Sequence, residues 1–158
     1  MSASIGAIFD IKNLPSQDAS NFTARVENSL SLDQDSSHAI RMILLSYTTK
    51  GSAPAQNDAK RLVLETNIVQ PSRVVDTNSS ILYISDLPVA GPSSTVTRAI
   101  STTEWPLIPL VPGVSTIDSI TFQARSSIDG TLLSDSIEQI SITYEIVRLS
   151  DNKAVQRF

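Results

Sequence analysis

No cysteine occurs in the 158-residue chain, and that absence removes disulfides, thiolate metal sites and cysteine nucleophiles together. A chain without crosslinks must hold its shape by packing or by association with copies of itself. Glycine is scarce, at five residues. Neither a Gly-x-Gly-x-x-Gly run nor a Walker lysine loop is present, so a glycine cradle for nucleotide phosphates has no support. Charged residues make up only 18%, less than in an average soluble protein, and the basic ones are scattered from Lys12 to Arg157. With a net charge of −4 and no concentrated positive face, counterion release has no source, which argues against a nucleic-acid partner. No apolar run approaches the roughly 20 residues of a membrane-spanning helix. The start, Met1-Ser2-Ala3-Ser4, lacks the basic and then apolar pattern of a signal peptide. No membrane association is expected.

What is present is apolar material interleaved with serine and threonine. Hydrophobic residues at 41% suffice for a core, and the length suits one domain over residues 1–158, with residues 1–15 read as a short first strand or an extended N-terminal arm. Strand patterning recurs along the chain. Phe22, Ala24 and Val26, then Leu30 and Leu32, alternate with polar neighbours, and Ile140, Ile142, Tyr144 and Ile146 do so at strict period two, which suits half-buried strands. Arg61–Val69, Ser80–Ser85 and Ile117–Arg125 read as further strands, and Thr95–Thr103 as an edge strand or an extended crossing. The segment Ala39–Tyr47 is apolar enough for a central strand, with a helix as the competing reading. Asn13–Ser16, Asp33–Ser37, Gly51–Asp58, Ala90–Ser94 and Asp151–Asn152 carry turn chemistry, and Asp129-Gly130 is a hairpin signal. The expectation is an all-β antiparallel β-sandwich, of jelly-roll or immunoglobulin-like order, with little helix.

The residues that carry chemistry are few. His38 is the single imidazole, placed beside Ser36 and Ser37 in what reads as a polar connection, and adjacency in sequence rarely supplies triad geometry. Asp33 with Asp35, and Asp129 with Asp135, are loop carboxylates available to a hard cation, yet neither pair has the spacing of an EF-hand, and turn formation accounts for them. No cofactor and no catalytic residue is assigned. Trp105, the single tryptophan, has three readings: a core plug, an anchor at a subunit interface, or a platform for a sugar ring.

The run Trp105-Pro106-Leu107-Ile108-Pro109-Leu110-Val111-Pro112-Gly113, followed by the strand Ser119-Ile120-Thr121-Phe122, cannot be a central strand or a helix. It resembles the apolar, Pro-Gly-terminated segment and following strand of β-sandwich virion proteins of tailed bacteriophages. The likeness covers about the last third of the chain and aligns no functional motif. It implies a non-enzymatic, oligomeric virion subunit, either a capsid decoration or cement protein or a tail or baseplate component, whose partners are other virion proteins. Candidate contact residues are then Ile5, Ile8 and Phe9 near the start, Trp105, Leu107 and Leu110 in the proline-rich run, and Phe158 at the end. The alternative is a carbohydrate-binding or adhesive β-sandwich.

Overall fold

The computed structural model describes residues 7–31, 37–55, 57–74, 77–101, 103, 107–111 and 116–149. Every regular element among them is a strand: β1 (Ala7–Lys12), β2 (Asn21–Ser31), β3 (Ser37–Thr49), β4 (Asn57–Thr66), β5 (Ser72–Val74), β6 (Thr77–Ser79), β7 (Ile81–Val89), β8 (Thr95–Ala99), β9 (Ile108–Pro109), β10 (Thr116–Ser126) and β11 (Ile137–Leu149). One sheet runs β1-β11-β3-β8, with β9 added beside β3. The second runs β2-β10-β4-β7, and β5 and β6 form a separate ribbon.

The strand order settles the choice that sequence left open. Setting aside β5, β6 and β9, eight strands remain. The first pairs with the last, the second with the seventh, the third with the sixth and the fourth with the fifth, as β1–β11, β2–β10, β3–β8 and β4–β7. This is the order of one long antiparallel hairpin rolled into two sheets, the jelly roll. An immunoglobulin-like sandwich would keep its first two strands in one sheet. Here β1 and β2 lie in different sheets, as do β3 and β4.

Local chemistry explains the elements. β11 alternates buried Ile140, Ile142, Tyr144 and Ile146 with Ser141, Thr143 and Glu145, and pairs with β1 on one edge and β3 on the other. The helix reading of Ala39–Tyr47 gives way to a strand because its apolar density comes from a change of phase. Ile40 and Met42 are buried at even positions, Leu45 and Tyr47 at odd ones, and the register shifts between them at a bulge opposite Thr143 and Tyr144. One inserted residue turns the following side chains to the same inner face. The strand read from sequence over Ser80–Ser85 runs further, and Pro88 lies inside β7, an edge strand where a missing N–H costs no ladder bond. Residues 127–136 do not join β10 to β11 as a hairpin. Gly130, at φ 73°, closes a tight turn that brings Leu132 back beside Arg125, and the chain then crosses to the other sheet.

The two inner faces enclose one core. Four rings cross it in sequence: Phe9 on Tyr144 at 5.2 Å, Tyr144 on Phe122 at 5.8 Å, and Phe122 on Phe22 at 5.7 Å. They connect β1 and β11 of one sheet to β10 and β2 of the other. Against this apolar background, the hydroxyls of Tyr47, Tyr144 and Thr66 are buried with no hydrogen-bond partner among the described residues. Burial disfavours the phenolates of the two tyrosines and pushes Tyr47 up to about 12, and it raises Tyr144 as well.

Phe122→Ala should destabilise the fold by about 3–5 kcal/mol in urea denaturation, through lost apolar burial and the cavity left between the sheets. Tyr144→Phe should cost nothing or stabilise, because it removes a buried hydroxyl without stranding a partner. Stability should also depend on alkaline pH. The unfolded Tyr47 phenol ionises near 10 while the folded one keeps its proton to about 12. The contribution is therefore complete below pH 10 and is lost across that window, by roughly 2–3 kcal/mol. Urea midpoints measured from pH 9 to pH 12 should fall less steeply for Tyr47→Phe than for the parent chain.

Candidate functional site

A rolled hairpin places its connections at two ends and leaves two pairs of free edges, so chemistry can arise at an end, on an outer face or along an edge. The end that carries the β1–β2 and β10–β11 connections is stitched together by polar groups. Asn13 is 3% exposed. Its amide nitrogen donates to the carbonyls of Leu14, Gln17 and Glu138, and its Oδ1 accepts from the Ile140 amide at 2.8 Å. Beside it the Ser20 hydroxyl donates to Asp18 at 2.7 Å and lies 2.9 Å from the Ser134 hydroxyl, while Lys50 Nζ donates to the Ser134 carbonyl at 2.6 Å. Partial burial of Asp18 works against its charge. The hydroxyl and amide of Ser20, the Ser134 hydroxyl and the positive charge of Lys50 outweigh it and hold the carboxyl below its ordinary value.

This cluster joins a serine, a carboxylate and a lysine, but its chemistry is that of a latch. A carboxylate with a lowered pKa is a weak base, and Ser20 is fully buried. His38 is not in a loop as read from sequence. It lies within β3, half-buried, opposite Arg148 of β11. Asp129 accepts from the amide and hydroxyl of Thr131, bonds that lower its pKa and close the turn. Asp135 accepts from Ser136, and Asp33 and Asp35 lie outside the described residues. Among the described residues no group of three His, Cys, Asp or Glu side chains is placed to hold a metal ion.

The outer faces are covered by paired polar side chains. On the β1-β11-β3-β8 sheet, Arg41 meets Glu145 at 2.7 Å, Ser46 meets Thr97 at 3.0 Å, and Thr143 donates to Asp10 at 3.2 Å. On the other sheet Arg125 meets Glu65 at 2.7 Å and Thr23 meets Thr121 at 3.0 Å. Large apolar side chains are exposed elsewhere: Ile8 (64%) on β1, Leu14 (60%) in the turn after it, Ile84 and Leu87 on β7, and Ile128 at the tip of the β10–β11 connection.

The candidate contact residues therefore separate. Ile8 is presented to solvent at a sheet edge. Phe9, its neighbour, turns inward onto Tyr144. Leu110 is buried at 6%, bridged to Val69, with its amide bonded to the His38 carbonyl, so the Ile108–Val111 stretch ties β3 to the segment that follows β4. Leu107 is half-buried, and Ile5, Trp105 and Phe158 lie outside the described residues. Sequence reasoning missed Leu14, although a leucine inside an Asn-Leu-Pro-Ser turn was a readable signal. It also missed Ile84 and Leu87, which the unbroken apolar run Ile81–Ile84 and the bulge after it conceal.

No protein-family model matches the chain, and no characterised protein matches it in sequence. Among solved structures it is similar to a carbohydrate-binding module from glycoside hydrolase family 9 (Cel9A) of Ruminococcus flavefaciens, at 11% identity and a TM-score of 0.30, over 94% of this chain and 100% of that one. It is also similar to a chain of infectious bursal disease virus, Gx strain, at 14% identity and a TM-score of 0.31, over 98% of this chain and 33% of that one. A third similarity is to the VP2 subviral particle of the same virus, at 14% identity and a TM-score of 0.27, over 98% and 36%. The chain thus spans about a third of the viral chains. These likenesses are β-sandwich resemblances, and at such TM-scores they carry no functional argument.

Asn13→Ala should destabilise the fold by about 1–3 kcal/mol in thermal or urea unfolding, because it strands the buried Ile140 amide. Asp18→Asn should flatten the acid limb of the stability profile. A carboxyl held low in the folded state contributes above its unfolded pKa, and that contribution is lost as pH falls through the folded one.

Proposed function

We propose that the chain is a non-enzymatic virion structural subunit that works by binding neighbouring proteins, and that its partners are other virion proteins or further copies of itself. The observation that carries this reading is the distribution of apolar side chains. The large exposed ones sit on edge strands and turn tips, at Ile8, Leu14, Ile84, Leu87 and Ile128, where a neighbouring chain reaches them. Among the described residues, the cluster of Ser20, Asp18, Ser134 and Lys50 is a latch in which the serine is buried and the carboxylate is held below its ordinary pKa, so it is a weak base. Jelly rolls recur in viral capsid proteins and in lectins, an analogy of fold that is compatible with this role and does not by itself assign it. A decoration, cement, tail or baseplate component of a tailed bacteriophage is the narrower form of the proposal, and it rests on the Trp105–Gly113 run and the strand after it.

Carbohydrate binding is the second reading, and the rings discriminate against it. Sugar platforms need exposed aromatic faces. The chain has eight aromatic residues; Phe22, Tyr47, Tyr83, Phe122 and Tyr144 are buried, and Phe9 is packed against that core. Trp105 and Phe158 lie outside the described residues, so a stacking platform on the described surface has no ring to use.

Light scattering over a range of concentrations, together with a glycan array, separates the two readings. Oligomers that grow with concentration and a blank array are expected. A monomer that binds a defined glycan, with binding abolished in Trp105→Ala, would replace the structural reading with the carbohydrate one.

A further inference from the structure

Among the described residues, and setting aside the two-residue β9 beside β3, the rolled hairpin has four edge strands, three of which carry devices that discourage pairing with another chain. β7 contains Pro88 and a bulge between the Arg61 and Val63 registers. β8 turns Arg98 inward to meet Asp86 of the opposite sheet at 3.2 Å. β2 loses register with β10 between Ile117 and Ser119. β1 has none of these. Its six residues pair regularly with β11, it contains no proline, and among the described residues no strand lies on its other side.

The direction of its free hydrogen-bonding groups is fixed by the ladder. Asn13 donates its amide to the Ile140 carbonyl. By the two-residue repeat of a strand, the N–H and C=O groups of Ala7, Phe9 and Ile11 also face β11, and those of Ile8, Asp10 and Lys12 face outward. The side chains of Ile8, Asp10 and Lys12 all lie on the solvent side of the sheet. We infer that β1 pairs antiparallel with β1 of a second copy, about a two-fold axis at Ile11, which sets Asp10 opposite the partner's Lys12 and Ile8 opposite the partner's Leu14.

Charge and shape select this register among the antiparallel ones. A strand pairing with itself about a two-fold axis keeps a constant sum of residue numbers, and groups that both point outward pair only in even sums. With the axis at Asp10, two carboxylates face each other, which is repulsive. With the axis at Ile11, each Asp10 meets a lysine, both members of each such pair exchange backbone bonds, and the two most exposed apolar side chains of the described residues, Ile8 and Leu14, cover one another. The same two charges that would resist an uncharged or misregistered strand therefore favour a copy of this one. The two β1-β11-β3-β8 sheets then become one continuous sheet across the dimer. A contact built on a six-residue strand lies at the small end of specific interfaces, so the dimer is concentration-dependent.

This inference specifies one contact within the structural-subunit reading, and its test is built to fail independently of that reading. The full chain and the variants Asp10→Lys, Lys12→Asp and the double variant Asp10→Lys/Lys12→Asp are compared by light scattering up to millimolar concentration, with a thermal melt of each to verify folding. All the altered side chains are exposed, so folded variants are expected. The parent chain should dimerise. Each single reversal should weaken association by roughly tenfold or more, since both symmetry-related pairs become repulsive, and the double variant, whose charges are complementary again, should restore it. Ile8→Asn should weaken association as well. A parent chain that stays monomeric with a blank glycan array overturns the β1 pairing while leaving the subunit reading in place as a clamp on a different protein. A parent oligomer indifferent to both single reversals overturns the pairing alone, and a monomer that binds a glycan overturns both.

Discussion

The fold depends on the stack of rings that crosses the sandwich from Phe9 through Tyr144 and Phe122 to Phe22. These residues come from the first strand, the last, the second and the next to last of the rolled hairpin, so one apolar contact joins the two ends of the sequence and both sheets. Without disulfides, closing such distant segments rests on this burial and on the β1–β11 and β2–β10 ladders. Aromatic pairs supply large apolar area together with a preferred geometry, which fixes how the sheets sit on one another.

Given that stack, the remaining interactions have separate tasks. The Asn13 bonds and the Asp18–Ser20–Ser134–Lys50 cluster hold the connections at one end, and the Ile108–Val111 stretch joins β3 to the segment after β4 at the other. The outer faces neutralise themselves by cross-strand pairs such as Arg41–Glu145 and Arg125–Glu65. What stays open for interaction is then the set of edges. Among the described residues three edges of the rolled hairpin are obstructed by proline, bulge or inward charge, and β1 pairs regularly along its whole length.

Much of the fold was legible because a strand with one buried face must alternate. β10, β11 and β4 follow from Phe122, Ala124, Ile140, Ile142, Leu62 and Leu64 without any knowledge of their neighbours. Legibility failed where a bulge changes the phase. At Ile43–Leu44 both faces look apolar, which is why a helix competed with β3, and at Leu82–Tyr83 the same ambiguity hid the exposed Ile84 and Leu87. Sequence ended this strand at Ser85, because it does not reveal that β7 lies at an edge, where Pro88 is tolerated. Of the contact residues inferred from sequence, Ile8 and Phe9 are adjacent and equally apolar, yet the pleat sends one to solvent and the other into the core, and only the register with β11 says which.

The sequence by itself determined the class of the protein: an all-β chain stabilised by packing, without cysteine chemistry, glycine phosphate loops or a concentrated basic face. Composition and periodicity decide these points because they depend on which groups are present and on the alternation of one strand. The tertiary structure alone decided the rolled order of the strands, the inward turn of Phe9 and Leu110, the latch around Asp18 and the free edge of β1. Those depend on which distant strands pair and in what register, and an alternating strand carries the same local pattern whichever neighbour it meets.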